Sequence, residues 1–251
     1  MPPSWLGGNL ISGTALPPPG PPASPTAWFK GSSGLVAGTH WIDTVTSDSF
    51  TATGTTGNLT TGTINGNNAA GWTSSGSQSY YTNASAPLST FLSSTAWTIG
   101  IVFGPGTMGL STNTGGSPYT YPCLCGDGPG NWVICAGSTG APNHAVTVSA
   151  LWDNGGNYYT TATGANNTDS SSHYVIAQLY STGTEMSLAI DGGTASVRSI
   201  PAGTITLTNA LEIGYGNGNA NNQYQGLIEE IIIYNTDVST STLGTYLAGR
   251  V

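Results

Sequence analysis

Charge is what this sequence has least of. Only 6% of its 251 residues are Asp, Glu, Lys or Arg, against about 25% in a typical globular domain. Three basic residues, Lys30, Arg198 and Arg250, stand against eleven acidic ones, for a net charge of −8. Three cations cannot form a basic patch, which argues against nucleic acid as a partner. The same shortage argues against electrostatic attachment to an anionic membrane. No stretch approaches the roughly 18 consecutive apolar residues that cross a bilayer as a helix. Met1-Pro2-Pro3-Ser4-Trp5 has neither a basic n-region nor a continuous apolar run, so the start reads as lacking a secretory signal. Cysteine is scarce as well: Cys123, Cys125 and Cys135 are too few, and odd in number, for a disulfide framework. They read first as small buried hydrophobes of a β core. A single Cys125–Cys135 or Cys123–Cys135 bridge comes second, and a zinc site of three cysteines with His144 third.

With so little charge, solubility falls to Ser, Thr, Asn and Gly. Such a surface carries few long flexible side chains, so ordering it against a partner costs little rotamer entropy. The length suits one all-β sandwich, large enough to bury roughly 70–75% of the surface its unfolded form exposes.

Residues 1–26 read as a separate arm. Leu16-Pro17-Pro18-Pro19-Gly20-Pro21-Pro22-Ala23-Ser24-Pro25 is a polyproline II stretch, stiff and poor in backbone donors. Trp5, Leu6, Leu10 and Ile11 are its apolar anchors for a neighbouring subunit, and a pre-extended arm orders cheaply on docking. From residue 27 to 251 the text is short β runs broken by Gly, Asn and Ser-Thr clusters, the pattern of a sandwich or barrel. Strands are predicted at Trp97–Phe103, Trp132–Ala136, Ala145–Trp152, Tyr174–Tyr180, Glu185–Asp191, Ala210–Tyr215 and Leu227–Tyr234. Asp191-Gly192-Gly193 marks a tight hairpin. One helix is predicted at the end, capped by Ser239 or Thr240, with Leu243, Tyr246 and Leu247 on one face. The polar stretches 53–79, 104–122 and 153–172 read as loops.

The run Leu227-Ile228-Glu229-Glu230-Ile231-Ile232-Ile233-Tyr234-Asn235, closed by Tyr246-Leu247-Ala248, resembles the last strand and helix of laminin-G-like domains of the concanavalin A-like lectin and glucanase superfamily. Gly226 occupies the glycine position of that pattern. Leu211-Glu212-Ile213-Gly214, the strand ending in Asp191-Gly192, and the segments Ala27-Trp28-Phe29 and Trp41-Ile42-Asp43 resemble further parts of it, in order. The resemblance covers residues 27–251 and implies an antiparallel two-sheet jelly roll with a short C-terminal helix, a fold often adhesive or carbohydrate-binding. It does not by itself imply a function.

Glycosidases on this fold pair two carboxylates on one strand so that both face the sugar. The glutamates here are Glu185, Glu212, Glu229 and Glu230. None has such spacing, and the adjacent pair is expected on opposite faces of its strand. No serine lies in a nucleophile elbow, and the histidines His40, His144 and His173 are scattered. An enzyme is therefore not expected. The resemblance also implies calcium at a loop rim, for which Asp127, Asp153 and Asn154 offer oxygen donors; each also reads as a turn or strand-end residue. For carbohydrate, the candidates are Tyr119, Tyr121, Trp132, Tyr158 and Tyr159, with Tyr80 and Tyr81 upstream, where rings stack on sugars and nearby Asn and Asp take hydroxyls. Core packing is the competing reading for each aromatic.

These features point to a non-catalytic virion structural protein, a bacteriophage capsid decoration or fibre module. Its arm would hold capsid or tail proteins, or a second copy of itself, and its lectin-like sandwich would bind glycans at the virion surface. A secreted or surface bacterial adhesin is the alternative, and a glycoside hydrolase a more distant one.

Overall fold

The computed structural model describes residues 20–73, 78–104, 123–127, 132–138, 146–153, 157–163, 171–180, 183–200, 207–215 and 224–251. Strands follow in the order β1 (Ala27–Lys30), β2 (Leu35–Val36), β3 (His40–Ile42), β4 (Ser49–Gly54), β5 (Leu59–Ile64), β6 (Asn67–Trp72), β7 (Ser79–Pro87), β8 (Trp97–Gly104) and β9 (Cys123–Asp127). They continue as β10 (Trp132–Ser138), β11 (Val146–Asp153), β12 (Asn157–Thr163), β13 (His173–Leu179), β14 (Glu185–Ile190), β15 (Ser196–Ser199), β16 (Ala210–Ile213) and β17 (Gly226–Tyr234), before one helix, α1 (Thr240–Ala248).

The strands form two antiparallel sheets of a jelly-roll sandwich. One has the order β15-β14-β13-β8-β17-β6-β5, with β1 also on β17, and the other β12-β11-β10-β9-β16-β7-β4-β3-β2. Alternation along the strands divides the side chains between layers. Trp97, Ile99, Ile101 and Phe103 enter the main core between the sheets, whereas Val102 joins Ile232, Leu243 and Leu247 in a second cluster under α1. Strands β8 and β17 are consequently buried along their whole length. The Ser239 hydroxyl caps α1 by accepting from Thr242 N at 3.3 Å, as its position at the head of the apolar-periodic segment implies. Aromatic side chains fill the main core edge to face. Phe29 meets Phe50 at 4.7 Å between centroids, and Trp72 meets Tyr81 at 6.0 Å.

All seven predicted strands are present, with ends shifted by at most two residues. The loop reading of 53–79 is overturned, because β5 and β6 form a hairpin there. Its turn is Asn65-Gly66, with φ of +46° and +79°; Asn and Gly accept these positive angles, and a Thr-rich run needs no long apolar side chains to pair at a sheet edge. The loop reading of 153–172 is likewise interrupted by β12. Residues 1–19 of the arm, including Trp5, Leu6, Leu10 and Ile11, lie outside the described residues. Residues near its end are tied to the sandwich: the Tyr234 hydroxyl donates to Pro22 O at 2.7 Å, and Thr26 N to Ile233 O at 2.7 Å.

The expectation that Glu229 and Glu230 face opposite ways is corrected. Pairing between β17 and β8 shifts register between Ile228 and Glu230, so Glu229 is the extra residue of a β-bulge. The bulge lets both carboxylates meet one guanidinium. Arg250 donates to Glu229 Oε1 and lies 3.2 Å from Glu230 Oε2, while both glutamates are wholly buried. Glu230 Oε1 also accepts from Trp28 Nε1 and, at 2.8 Å, from the Tyr246 hydroxyl. This cluster joins β1, β17 and α1 within the interior.

Arg250→Met leaves two buried carboxylates without their cation and is expected to cost about 3–5 kcal/mol in chemical denaturation. The same change in a Glu229→Gln/Glu230→Gln background costs markedly less, because the orphaned charge is gone.

Candidate functional site

The outer face of the nine-stranded sheet is set by register. One row runs across five strands through His40, Thr51, Thr82, Glu212 and Gly126. Its partner row takes Ala52, Tyr81, Ile213 and Cys125 into the core. On β16, Leu211 and Ile213 are buried in that core, so Glu212 between them stands on the other side. On β7 the same alternation sends Tyr81 inward and leaves Tyr80 half-buried outside.

Tyr80 stacks on Tyr215, with ring centroids 5.2 Å apart and planes 17° from parallel. Tyr215 follows Gly214, whose φ is +85°. A β carbon on Gly214 would sit 2.2 Å from Trp72 Cε2, so only glycine allows the chain to turn here, against a core tryptophan, and deliver Tyr215 to the face. Tyr215 is only 4% exposed, and its hydroxyl has no hydrogen-bond partner among the described residues. Glu212 Oε2 is likewise buried without such a partner. Burial, and secondarily the Asp127 charge, push the Glu212 carboxyl up to about 7. Burial and then Glu212 raise the Tyr215 phenol to about 12. The result is a π surface partly open to solvent beside a partly exposed carboxyl. This is an arrangement that can stack a flat apolar face and exchange hydrogen bonds with hydroxyl groups.

The structure treats the predicted site residues unequally. Trp132 is corrected: it is wholly buried, edge-on to Trp97 at 6.0 Å, and such a ring presents no face to a sugar. Asp127 is corrected as a rim calcium donor. It is wholly buried, with Oδ1 accepting from Trp132 N at 2.9 Å and Oδ2 from Asn209 Nδ2 at 2.8 Å, so it clasps two segments of the interior. Asp153 pairs with Asn157 at the end of the β11–β12 ladder. The pair Tyr158 and Tyr159 is divided by register, Tyr158 pairing with Trp152 and Tyr159 with Leu151. Tyr119, Tyr121, Asn154 and His144 lie outside the described residues. Cys123, Cys125 and Cys135 are wholly buried, Cys123 Sγ lying 2.8 Å from Cys135 Sγ. Among the described residues no group of three His, Cys, Asp or Glu side chains is placed to hold a metal ion. Glu212 and Tyr215 were missed as site residues. The inward Leu211 and Ile213 were a signal for Glu212, but stacking of Tyr80 on Tyr215 depends on pairing between strands far apart in sequence.

No protein-family model matches the chain, and no curated protein sequence matches it. Its fold is shared with solved structures of low identity. Domain 4 of an extracellular arabinanase from Geobacillus stearothermophilus, solved with arabinotriose, is 13% identical; the match covers 89% of this chain and 98% of that one, with a TM-score of 0.59. The ligand-binding domain of botulinum neurotoxin serotype D, solved with N-acetylneuraminic acid, is 13% identical over 90% of this chain and 51% of that one, with a TM-score of 0.60. A Trypanosoma rangeli sialidase with the inhibitor DANA is 13% identical over 88% of this chain and 32% of that one, with a TM-score of 0.53. The chain thus spans about half of the toxin domain and about a third of the sialidase. At these identities the likeness establishes a shared fold.

Two measurements probe the site's construction. Gly214→Ala is expected to cost about 3 kcal/mol, because its methyl group must displace Trp72 and hold a positive φ. The Glu212 carboxyl, raised from 4.5 to about 7, holds its proton more tightly in the folded state. Its contribution is therefore complete below the unfolded value and is lost as pH rises towards 7. Glu229, raised to about 7 chiefly by burial, acts in the same direction. Glu212→Gln should remove part of the stability decline over that window, on the order of 1 kcal/mol after solvent screening, in denaturation curves taken across pH.

Proposed function

We propose that this protein is a carbohydrate-binding module whose binding face is the outer side of the nine-stranded sheet around Tyr80, Glu212 and Tyr215. The observation that carries the reading is the stacked tyrosine pair, with Tyr80 partly open to solvent, beside the partly exposed Glu212 carboxyl. A sugar offers an apolar ring face for Tyr80 and hydroxyls for the partly exposed Glu212 carboxyl. The ligands named for two proteins of like fold, arabinotriose and N-acetylneuraminic acid, are saccharides and support the class.

The proposed role is binding without catalysis. Glycoside hydrolysis uses two carboxyl groups flanking the scissile bond. Asp127, the acid that acts electrostatically on Glu212, has each oxygen engaged by an internal donor and so is not free to serve as the second carboxyl. Glu229 and Glu230 are committed to Arg250. The proposal extends to setting: the proline-rich segment presents the domain on a virion, held by capsid or tail proteins. Support for this comes from composition, a charge-poor chain behind a stiff proline arm. An extracellular bacterial adhesin is the other setting.

The binding reading is tested on an array of oligosaccharides with Tyr80→Ala and Tyr215→Ala beside the unaltered protein. Loss of one stacking surface is expected to weaken binding about tenfold, a change of about 1.4 kcal/mol. Equal binding by all three proteins, or none by any, would place the site elsewhere or remove the function. For the setting, removal of residues 1–19 should abolish association with particles while glycan binding persists; unchanged incorporation would eliminate the arm.

A further inference from the structure

We infer that the Tyr80–Glu212–Tyr215 face selects neutral saccharides and rejects acidic ones such as sialylated or uronic-acid glycans. The inference rests on the proposed glycan reading of this face and adds the ligand's charge class.

The argument starts from where the cations are. The chain has only three lysine and arginine side chains, and all three belong to the other sheet or the helix. Lys30 is on β1, its Nζ 4.2 Å from the centroid of the Trp28 ring. Arg198 is on β15, the edge strand opposite Met186. Arg250 follows α1 and is engaged by Glu229 and Glu230. The row through Glu212 contains one titratable base, His40, which is separated from it by Thr51 and Thr82. Three strand spacings put it roughly 14 Å away, beyond a Debye length at physiological salt. An acidic sugar seated on Tyr80 therefore finds no lysine or arginine to pair with its carboxylate.

It also meets repulsion. Glu212 is beside the tyrosine pair, and the Asp127 charge acts on it from the strand next door. Bringing a carboxylate into this half-buried site works against the ionised fraction of Glu212 and against the Asp127 charge, because like charges in low dielectric repel and desolvation penalises the newcomer. A neutral sugar meets neither cost: it brings no charge to the face, and its hydroxyls can donate to the partly exposed Glu212 carboxyl. The net charge of −8 adds long-range repulsion in the same direction. Specificity here comes from what the face withholds as well as from what it offers.

The test measures binding of the full chain to lactose, arabinotriose and sialyllactose by calorimetry or array at physiological salt, with Glu212→Gln and Tyr80→Ala alongside. A neutral saccharide should bind at least about tenfold more tightly than sialyllactose, since one uncompensated like charge is worth about 1.4 kcal/mol or more. Glu212→Gln should narrow that gap several-fold, and Tyr80→Ala should lower binding of the neutral ligand. Equal or tighter binding of sialyllactose that is still lost in Tyr80→Ala overturns the charge selection and leaves the glycan face standing. Binding indifferent to Tyr80→Ala, or no binding to any of the three, overturns both.

Discussion

The fold depends on holding two carboxylates in an interior that has one cation to spare for them. Strand β17 is buried from Gly226 to Tyr234, pairs with β8 on one side and with β6 and β1 on the other, and carries Glu229 and Glu230 with it. Separate placement would bury one charge against each face at a cost of several kcal/mol apiece. The β-bulge instead lets both reach Arg250, and the helix must then return across the sheet to bring Arg250 there. Packing of Leu243 and Leu247 on the sheet fixes that return. Bulge, helix and C-terminal arginine are therefore one device, and Trp28 and Tyr246 complete it by donating to Glu230.

Scarcity of charge makes the remaining acids informative. Asp43 is wholly buried and accepts from Trp28 N, Val45 N and Thr46 N, organising the turn after β3 and fastening it to β1. Asp127 clasps Trp132 and Asn209. Asp191, in the hairpin after β14, binds Tyr174 N at 3.0 Å and His173 Nδ1 at 2.7 Å. In a chain whose surface is Ser, Thr, Asn and Gly, carboxylates are used chiefly as internal fasteners, where an acceptor bound by backbone N–H groups is stronger than a neutral one.

Much of the architecture was legible because it is written locally. Period-two alternation marked the central strands, Asp191-Gly192 marked a hairpin, and Ser239 with Leu243 and Leu247 marked the helix. Asn65-Gly66 was an equally plain hairpin signal, hidden by a Thr-Gly-Asn text whose low hydrophobicity resembles a loop; β5 needs few apolar residues because it is the edge strand of its sheet. The bulge at Glu229 was not legible, since nothing in Glu-Glu within an isoleucine run distinguishes an extra residue from a paired one. The site was harder still. Aromatic residues serve cores and ligand faces alike, so Trp132 was a reasonable candidate and is a core residue, whereas Tyr80 meets Tyr215 only through the pairing of β7 with β16.

Glu212 and Glu229 show why a perturbed carboxyl does not by itself mark a site. Burial is the main cause in both, and both are raised to about 7. Glu229 has Arg250 at its Oε1 and a second glutamate beside it, so its proton affinity reports a shared ion cluster that holds strands and helix together. Glu212 has Asp127 as a like-charged neighbour and no cation, and it stands where Tyr80 remains partly open to solvent. A fold gains nothing from leaving an acid raised and unpaired on a sheet face, since its ionisation subtracts stability as pH rises. Such a cost persists when the group is used, and the groups beside it say for what. In the proposed role, the stacked rings beside Glu212 serve recognition of a polyhydroxylated ligand.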